Sequence, residues 1–258
     1  MGNELNQSYF LSSVKNALLI MRSFTLEEPE KKVTDLANSL NLGKSTVSRL
    51  LSTLASEGFV VKNPETNKYR LGLSILNLNT IVTNNIEINR DSQPILRELV
   101  NEVRETAHIA VLEGTDIVYL YKVDCKHPVQ ILTHIGKRNP VHATSSGKVL
   151  LAYQPEEVVF KCLKNGLHGY QRSTITDPEK FRDCLSFVKK QGFATSSEEL
   201  LEGVVSVAAP VRDYTGKVVY SVSVTGPEHR MNPKNPALVN KVIKAAKEIS
   251  ENLGCWKY

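Results

Sequence analysis

Apolar residues recur through the first quarter of the chain at spacings that suit helices. Val47, Leu50, Leu51 and Leu54 fall at i, i+3, i+4 and i+7, which predicts a short helix within residues 43–58 that turns one side toward a core. Ser45, Ser48, Arg49 and Ser52 share the opposite side. Upstream, Val33, Leu36, Ala37 and Leu40 make a second stripe with Thr34 near its start, and Asn41, Leu42 and Gly43 leave a short turn between the two helices. Earlier still, Val14, Ala17, Leu18, Met21 and Phe24 predict an amphipathic helix, capped by Ser13, that covers the pair. Gly58 suits a helix C-terminal cap, and β-prone residues 59–62 and 68–71 then flank the turn-rich Asn63, Pro64, Glu65, Thr66 and Asn67. Three helices followed by a hairpin read as a winged helix-turn-helix over residues 1–72.

The pattern then changes. Ile75, Leu78, Val82 and Ile86 continue at helical spacing in an Asn- and Thr-rich segment without a second apolar face, predicting a linker helix over residues 73–91. So narrow a stripe fits a dimer contact or packing within one chain. Asp91, Ser92 and Pro94 restart a helix with Ile95, Leu96, Leu99 and Val103 inward. Runs at 107–112 and 117–123 around Glu113, Gly114, Thr115 and Asp116 read as an antiparallel hairpin, with a third strand expected over 129–135. Helices are expected over 147–153, 155–164 and 181–190, the last begun by Asp177 and Pro178 and carrying Phe181, Cys184, Leu185 and Val188 at core spacing. Strands over 204–211 and 218–225 flank a turn containing Asp213, Thr215 and Gly216. A final helix sets Val239, Val242, Ile243, Ala246, Ile249 and Leu253 on one side. The fold class is therefore α+β in two domains, the second, over 92–258, an antiparallel sheet covered by helices.

Composition narrows the setting more than the partner. With 258 residues, 41% hydrophobic and 23% charged, the chain can bury two ordinary cores. No apolar run is long enough for a membrane span and Ala17 to Met21 is too short for a secretory signal, so a cytoplasmic protein without a membrane partner is expected. Cys125, Cys162, Cys184 and Cys255 lie far apart without a CxxC, which argues against a disulfide frame or a zinc site. The net charge of +5 is modest. Its distribution says more: Lys44, Arg49, Lys62, Lys68 and Arg70 against Glu57 and Glu65 give +3 within residues 44–70, and a dimer would double that field.

That charge lies on the helix and hairpin that would face a duplex. Small hydroxyl residues let a helix approach a groove wall, and an arginine can make two hydrogen bonds to guanine or clamp a phosphate. Candidate DNA contacts are Lys44, Ser45, Thr46, Ser48, Arg49 and Ser52 on the helix and Lys62, Lys68, Tyr69 and Arg70 on or beside the wing. Arg49 with Ser45 or Ser48 would read bases; Lys44, Lys62, Lys68 and Arg70 would meet phosphates. Gly43, Lys44, Ser45 and Thr46 also spell the end of a phosphate-binding loop, but Asn38 stands where that loop needs its first glycine. The chain has no GxSxG elbow and no HExxH, so neither a nucleophile nor a metal-activated water has an obvious set of parts. No catalytic residue, metal or cofactor is assigned; a metabolic enzyme or a protein-interaction module with an appended winged helix are the competing classes.

Two well-separated motifs add a family resemblance. Residues 142–152 read HATSSGKVLLA and residues 198–216 read EELLEGVVSVAAPVRDYTG, leading into VSVTGP at 222–227. With KSTVSRLL and KYRLG in the first domain, the chain resembles the IclR family of bacterial transcription regulators over nearly its whole length. The resemblance implies a winged helix-turn-helix, a linker helix and an effector-binding domain of GAF-like topology, working as a homodimer or homotetramer on operator DNA and controlled by a small organic acid.

Thr144, Ser145 and Ser146 stand where the chain enters a helix, so hydroxyls and backbone N–H groups converge at its positive end, a place that attracts anions. Ser145 and Ser146 fit either that pocket or a simple helix cap. Ser206 on one strand and Ser223 and Thr225 on the next can line a facing wall, since residues two apart share a face. By resemblance, Ser145, Ser146, Ser206, Ser223 and Thr225 occupy positions that hold carboxylate effectors. Ser196 stands where many members carry an aspartate, which would leave the wall tolerant of a more anionic or larger hydroxy-acid. His142 and Glu199 are expected to be structural, and Lys148 is either exposed or turned to the pocket.

Overall fold

Burial of Ile20, Leu36, Ala37, Val47, Leu51, Val60 and Tyr69 organises the first of two compact units, which divide between Asn85 and Ile86. The computed structural model describes residues 11–84, 87–126 and 134–255. In the first unit α1 (Ser12–Arg22), α2 (Val33–Ser39) and α3 (Lys44–Ser56) precede the hairpin β1 (Val60–Lys62) and β2 (Tyr69–Leu71), and α4 (Ser74–Asn84) follows. Asn41 takes the left-handed backbone at φ 51 in the α2–α3 turn, a conformation Asn tolerates because its short polar side chain bonds locally. At the far end of α3, Gly58 adopts φ 73, Phe59 N–H donates to Leu54 O at 2.8 Å and Gly58 N–H to Ala55 O at 3.1 Å, a Schellman closure that turns the chain into the wing.

The phase of α1 differs from the expected stripe. Ile20 is its fully buried residue, with Ala17, Met21 and Phe24 partly covered, while Val14 and Leu18 are each 53% exposed. Ser13 lies inside the helix and Leu11 holds the N-cap position without a side-chain bond. A helix carrying apolar residues around most of its circumference has several candidate faces, and only the packing of its neighbours selects one. On α4, Leu78 and Val82 are exposed, as are Leu76 and Ile81 and, just before the helix, Leu73, so the apolar surface is wider than the expected stripe; Ile86 lies outside the described residues.

The second unit contains α5 (Glu87–Val103), β3 (Thr106–Glu113), β4 (Asp116–Val123), β5 (Arg138–Pro140), α6 (Ser145–Ala152), α7 (Glu156–Lys164), α8 (Pro178–Gln191), β6 (Ala194–Ser197), β7 (Val204–Arg212), β8 (Val218–Pro227) and α9 (Pro236–Asn252). Its six strands form one antiparallel sheet in the order β5-β4-β3-β8-β7-β6. Alternation decides the layers: Ile109, Val205, Val207, Val222 and Val224 pack under α5 and α9, while Ala110, Ile117 and Ala208 face α6, α7 and α8. The helix expected to restart at Asp91 begins at Glu87, leaving Pro94 inside it; the Ser92 hydroxyl donates to Ile88 O, one turn back. Burial of Ile88 draws this earlier turn into the core and outweighs the local stop signal. The strand expected over 129–135 falls mostly outside the described residues, and residues 134 and 135 are not in a strand. β5 and β6 are too short to show an alternating pattern and are additions to the expected elements. No helix among the described residues is long and apolar enough to cross a membrane.

Candidate functional site

The face of α3 opposite its buried Val47 and Leu51 is open: Lys44, Ser45, Thr46, Ser48, Arg49 and Ser52 are all exposed. The Ser52 hydroxyl donates to Ser48 O at 3.0 Å, which leaves its oxygen as an acceptor. On the wing, Val61 pairs with Arg70 and Lys62 with Tyr69; Lys62 and Arg70 are exposed and Lys68 partly so. Tyr69 departs from the expected DNA contacts. It is only 7% exposed and belongs to the core, packed with Ile20, Leu36, Val47 and Leu51, while Arg70 takes the outward place beside it. Backbone bonds in both directions with Lys31, at 2.8 and 2.9 Å, fix it there.

The second candidate site is a cavity of about 220 Å³ on the α6 side of the sheet. Cross-strand register builds its floor: Ser196 pairs with Ser206 and Ser206 with Thr225, a row of three hydroxyl residues across β6, β7 and β8. Above it, Thr144 caps α6 by accepting from Gly147 N–H at 3.1 Å and donating to Pro140 O at 3.1 Å. Ser145, the first helical residue, bonds to Ser206 Oγ at 2.7 Å, and the Ser196 hydroxyl donates to Ala143 O at 3.3 Å. Ser223 lines the same cavity. Of the residues expected here, Thr144, Ser145, Ser196, Ser206, Ser223 and Thr225 converge on the cavity and Ser146 does not. Successive helix residues are rotated by about 100°, so Ser145 facing the sheet turns Ser146 away, where it is buried against protein.

Sequence reasoning misses Tyr119, Lys137, Asn139, Tyr170, Leu200, Leu201 and Val204 in the cavity wall. Alternation along β4 could have placed Tyr119; the others arrive from loops or strand ends with no periodic signal. Lys148 is neither exposed nor in the wall. It is buried, donating to Glu199 Oε1 and to Thr195 O at 3.2 Å, and so ties α6 to the β6–β7 connection that carries Leu200 and Leu201. His142 bonds through Nε2 to His168 O at 2.8 Å and packs against Tyr170 and Phe181, a structural role.

Beside the cavity, His108 is fully buried with its ring 4.7 Å from that of Tyr119. Burial, helped by the charge of Lys122, pushes its imidazole down to about 3. A histidine depressed in the fold stabilises it fully above the unfolded value near 6.5 and loses that contribution as pH falls from there toward 3, because the unfolded chain takes up the proton first. Unfolding stability should therefore drop by a few kcal/mol across this window, and His108→Gln should flatten the drop in urea melts at stepped pH. An unchanged slope in that variant would remove His108 as its source.

Comparison with known proteins agrees with this geometry in both units. A family model of the bacterial transcriptional regulator IclR C-terminal domain matches residues 80–251, and one of the IclR helix-turn-helix domain matches residues 13–64. The chain is similar to the HTH-type transcriptional regulator XynR of Escherichia coli, with 36% identity over 220 residues covering 83% of this chain and 86% of that protein. It is also similar to the HTH-type transcriptional regulator KdgR of Escherichia coli, with 33% identity over 252 residues covering 96% and 95%. An IclR homolog from Microbacterium hydrocarbonoxydans, solved with 4-hydroxybenzoate, shares the fold at a TM-score of 0.80 and 24% identity, covering 94% of this chain and 99% of that one.

Proposed function

Because the chain belongs to the IclR family of bacterial transcriptional regulators, with a DNA-binding and an effector-binding domain, we propose that α3 and the wing hold operator DNA while a small carboxylate-bearing metabolite in the α6 cavity sets how tightly. The observation that carries the first half is the two-sidedness of α3. Val47 and Leu51 anchor it from behind, and Ser45, Ser48, Arg49 and Ser52 stand outward beside Lys44, Lys62 and Arg70. Arg49 with Ser45 or Ser48 reads base edges; the lysines and Arg70 hold phosphates.

Arg49→Ala should cost about 1–3 kcal/mol on the cognate operator and much less on random DNA, whereas Lys68→Ala should weaken both and flatten the dependence on salt. Binding isotherms at several salt concentrations check this. Equal losses for both variants on both DNAs would overturn the assignment.

The effector acts by binding one DNA-spacing geometry of the regulator better than another; a coupling of about 1–3 kcal/mol is enough to change operator occupancy. The ligand is read and not turned over, in keeping with relatives that are transcriptional regulators. Homodimers or homotetramers in the cytoplasm are the working form. Exposed Leu11, Val14 and Leu18 on and beside α1, and Leu76, Ile81 and Val82 on α4, support this, since apolar surface of that extent favours a partner subunit.

A further inference from the structure

We propose that the effector carries two acidic groups, one held at the start of α6 and the other paired with Lys137, so that Lys137 is the residue that selects diacids over monoacids. This rests on the reading of the cavity as the effector site. Two hydroxyls show that the cavity is built for a polar guest: Ser223 is 1% and Thr225 7% exposed, both face the cavity from β8, and neither has a hydrogen-bond partner among the described residues. Hydroxyls that open onto a cavity and bond to no other side chain are free to donate to, or accept from, a guest.

The charge in the wall is one-sided. Among the described residues Lys137 is the cation that lines the cavity, no carboxylate lines it, and no carboxylate pairs with Lys137. The positive end of α6 adds a second attraction for an anion, at Ser145.

The two attractions lie at different places. Ser145 bonds to Ser206 on β7, whereas Lys137 precedes β5 at the sheet edge, its carbonyl accepting from Tyr119 N–H at 3.2 Å. Between β7 and β5 lie β8, β3 and β4, so at the usual strand spacing the two backbones are at most roughly 19 Å apart along the sheet, and the two attractions enter the cavity from different strands. The cavity holds about seven water-sized groups, room for a short chain with an acid at each end whose middle hydroxyl or keto groups meet Ser223 and Thr225. The chemical class is a short hydroxylated or keto diacid.

Titration calorimetry on the full chain with two matched pairs, gluconate with glucarate and lactate with malate, tests this. The wild type should bind at least one diacid ten-fold or more tighter than its monoacid. Lys137→Met should bring that diacid to the monoacid's affinity and leave the monoacid within two-fold, while Lys137→Arg should keep the preference; thermal melts confirm that both variants fold. Equal binding of monoacid and diacid, or an equal loss for both in Lys137→Met, would overturn the proposal while leaving the cavity as the effector site. No heat from either pair with a protein that still binds its operator, or heat unchanged by Ser145→Ala and Ser223→Ala, would overturn the cavity reading and the proposal with it.

Discussion

Lys148→Met should destabilise the second unit by about 3–5 kcal/mol, the range for stranding one member of a buried ion pair. The Lys148 and Glu199 side chains are 3% and 9% exposed, and Glu199 Oε2 is buried without a hydrogen-bond partner, so the carboxylate left behind would have neither its counter-charge nor water. Replacing both residues tests the cause, because an apolar pair of similar volume is often no worse than the ion pair it replaces. Lys148→Met with Glu199→Leu should thus recover most of the loss in urea denaturation followed by circular dichroism. The single variant should also weaken effector binding, because Leu200 and Leu201 follow Glu199 directly and line the cavity. A cost below about 1 kcal/mol for Lys148→Met would mean that water or a rearranged side chain satisfies Glu199, and the ion pair would no longer explain how the β6–β7 connection is held.

Gly147→Ala should be at least as damaging. A Cβ at this position would lie 2.2 Å from Val141 O, 2.3 Å from Val141 Cα and 2.6 Å from Val141 C, and these are backbone atoms that cannot rotate away. The start of α6 would have to lift from the segment that follows β5. Overpacking of this kind costs about 1–3 kcal/mol where neighbours can adjust and more where they cannot; we expect about 3 kcal/mol or more, with loss of the Ser145–Ser206 bond and of effector binding. A melting temperature and ligand affinity equal to those of the wild type would show that helix and strand do not approach so closely. Together these variants give physical meaning to Gly147 and Lys148 in the HATSSGK segment: the glycine lets the helix pass over backbone, and the lysine fastens it to the loop beyond β6.

Elements with strong periodicity are legible in the order of residues. Val47 and Leu51 on α3, the strand runs of β7 and β8 on either side of their turn, and the Asp177–Pro178 start of α8 each depend on neighbours in sequence, and the folded protein keeps all of them. The phase of α1 is not legible because apolar residues surround the helix, and the burial of Tyr69 depends on which face of a three-residue strand meets the core. Most of the cavity wall is hidden for a related reason. Lys137, Asn139, Tyr170 and Leu200 are scattered over more than sixty positions and meet only because β5 pairs with β4 and the loops after α7 and β6 return to α6.

From its order of residues alone this protein determined two folded units, the outward hydroxyls and arginine of α3, and the shared strand face of Ser223 and Thr225, since each follows from local spacing and short-range backbone geometry. Tertiary structure alone decided that Tyr69 belongs to the core, that Ser146 turns away from the cavity, that Lys148 is spent on Glu199 and that Lys137 faces the cavity. Those outcomes depend on strand register and on which buried charges meet across the fold, and contacts between residues distant in the chain leave no periodic trace in it.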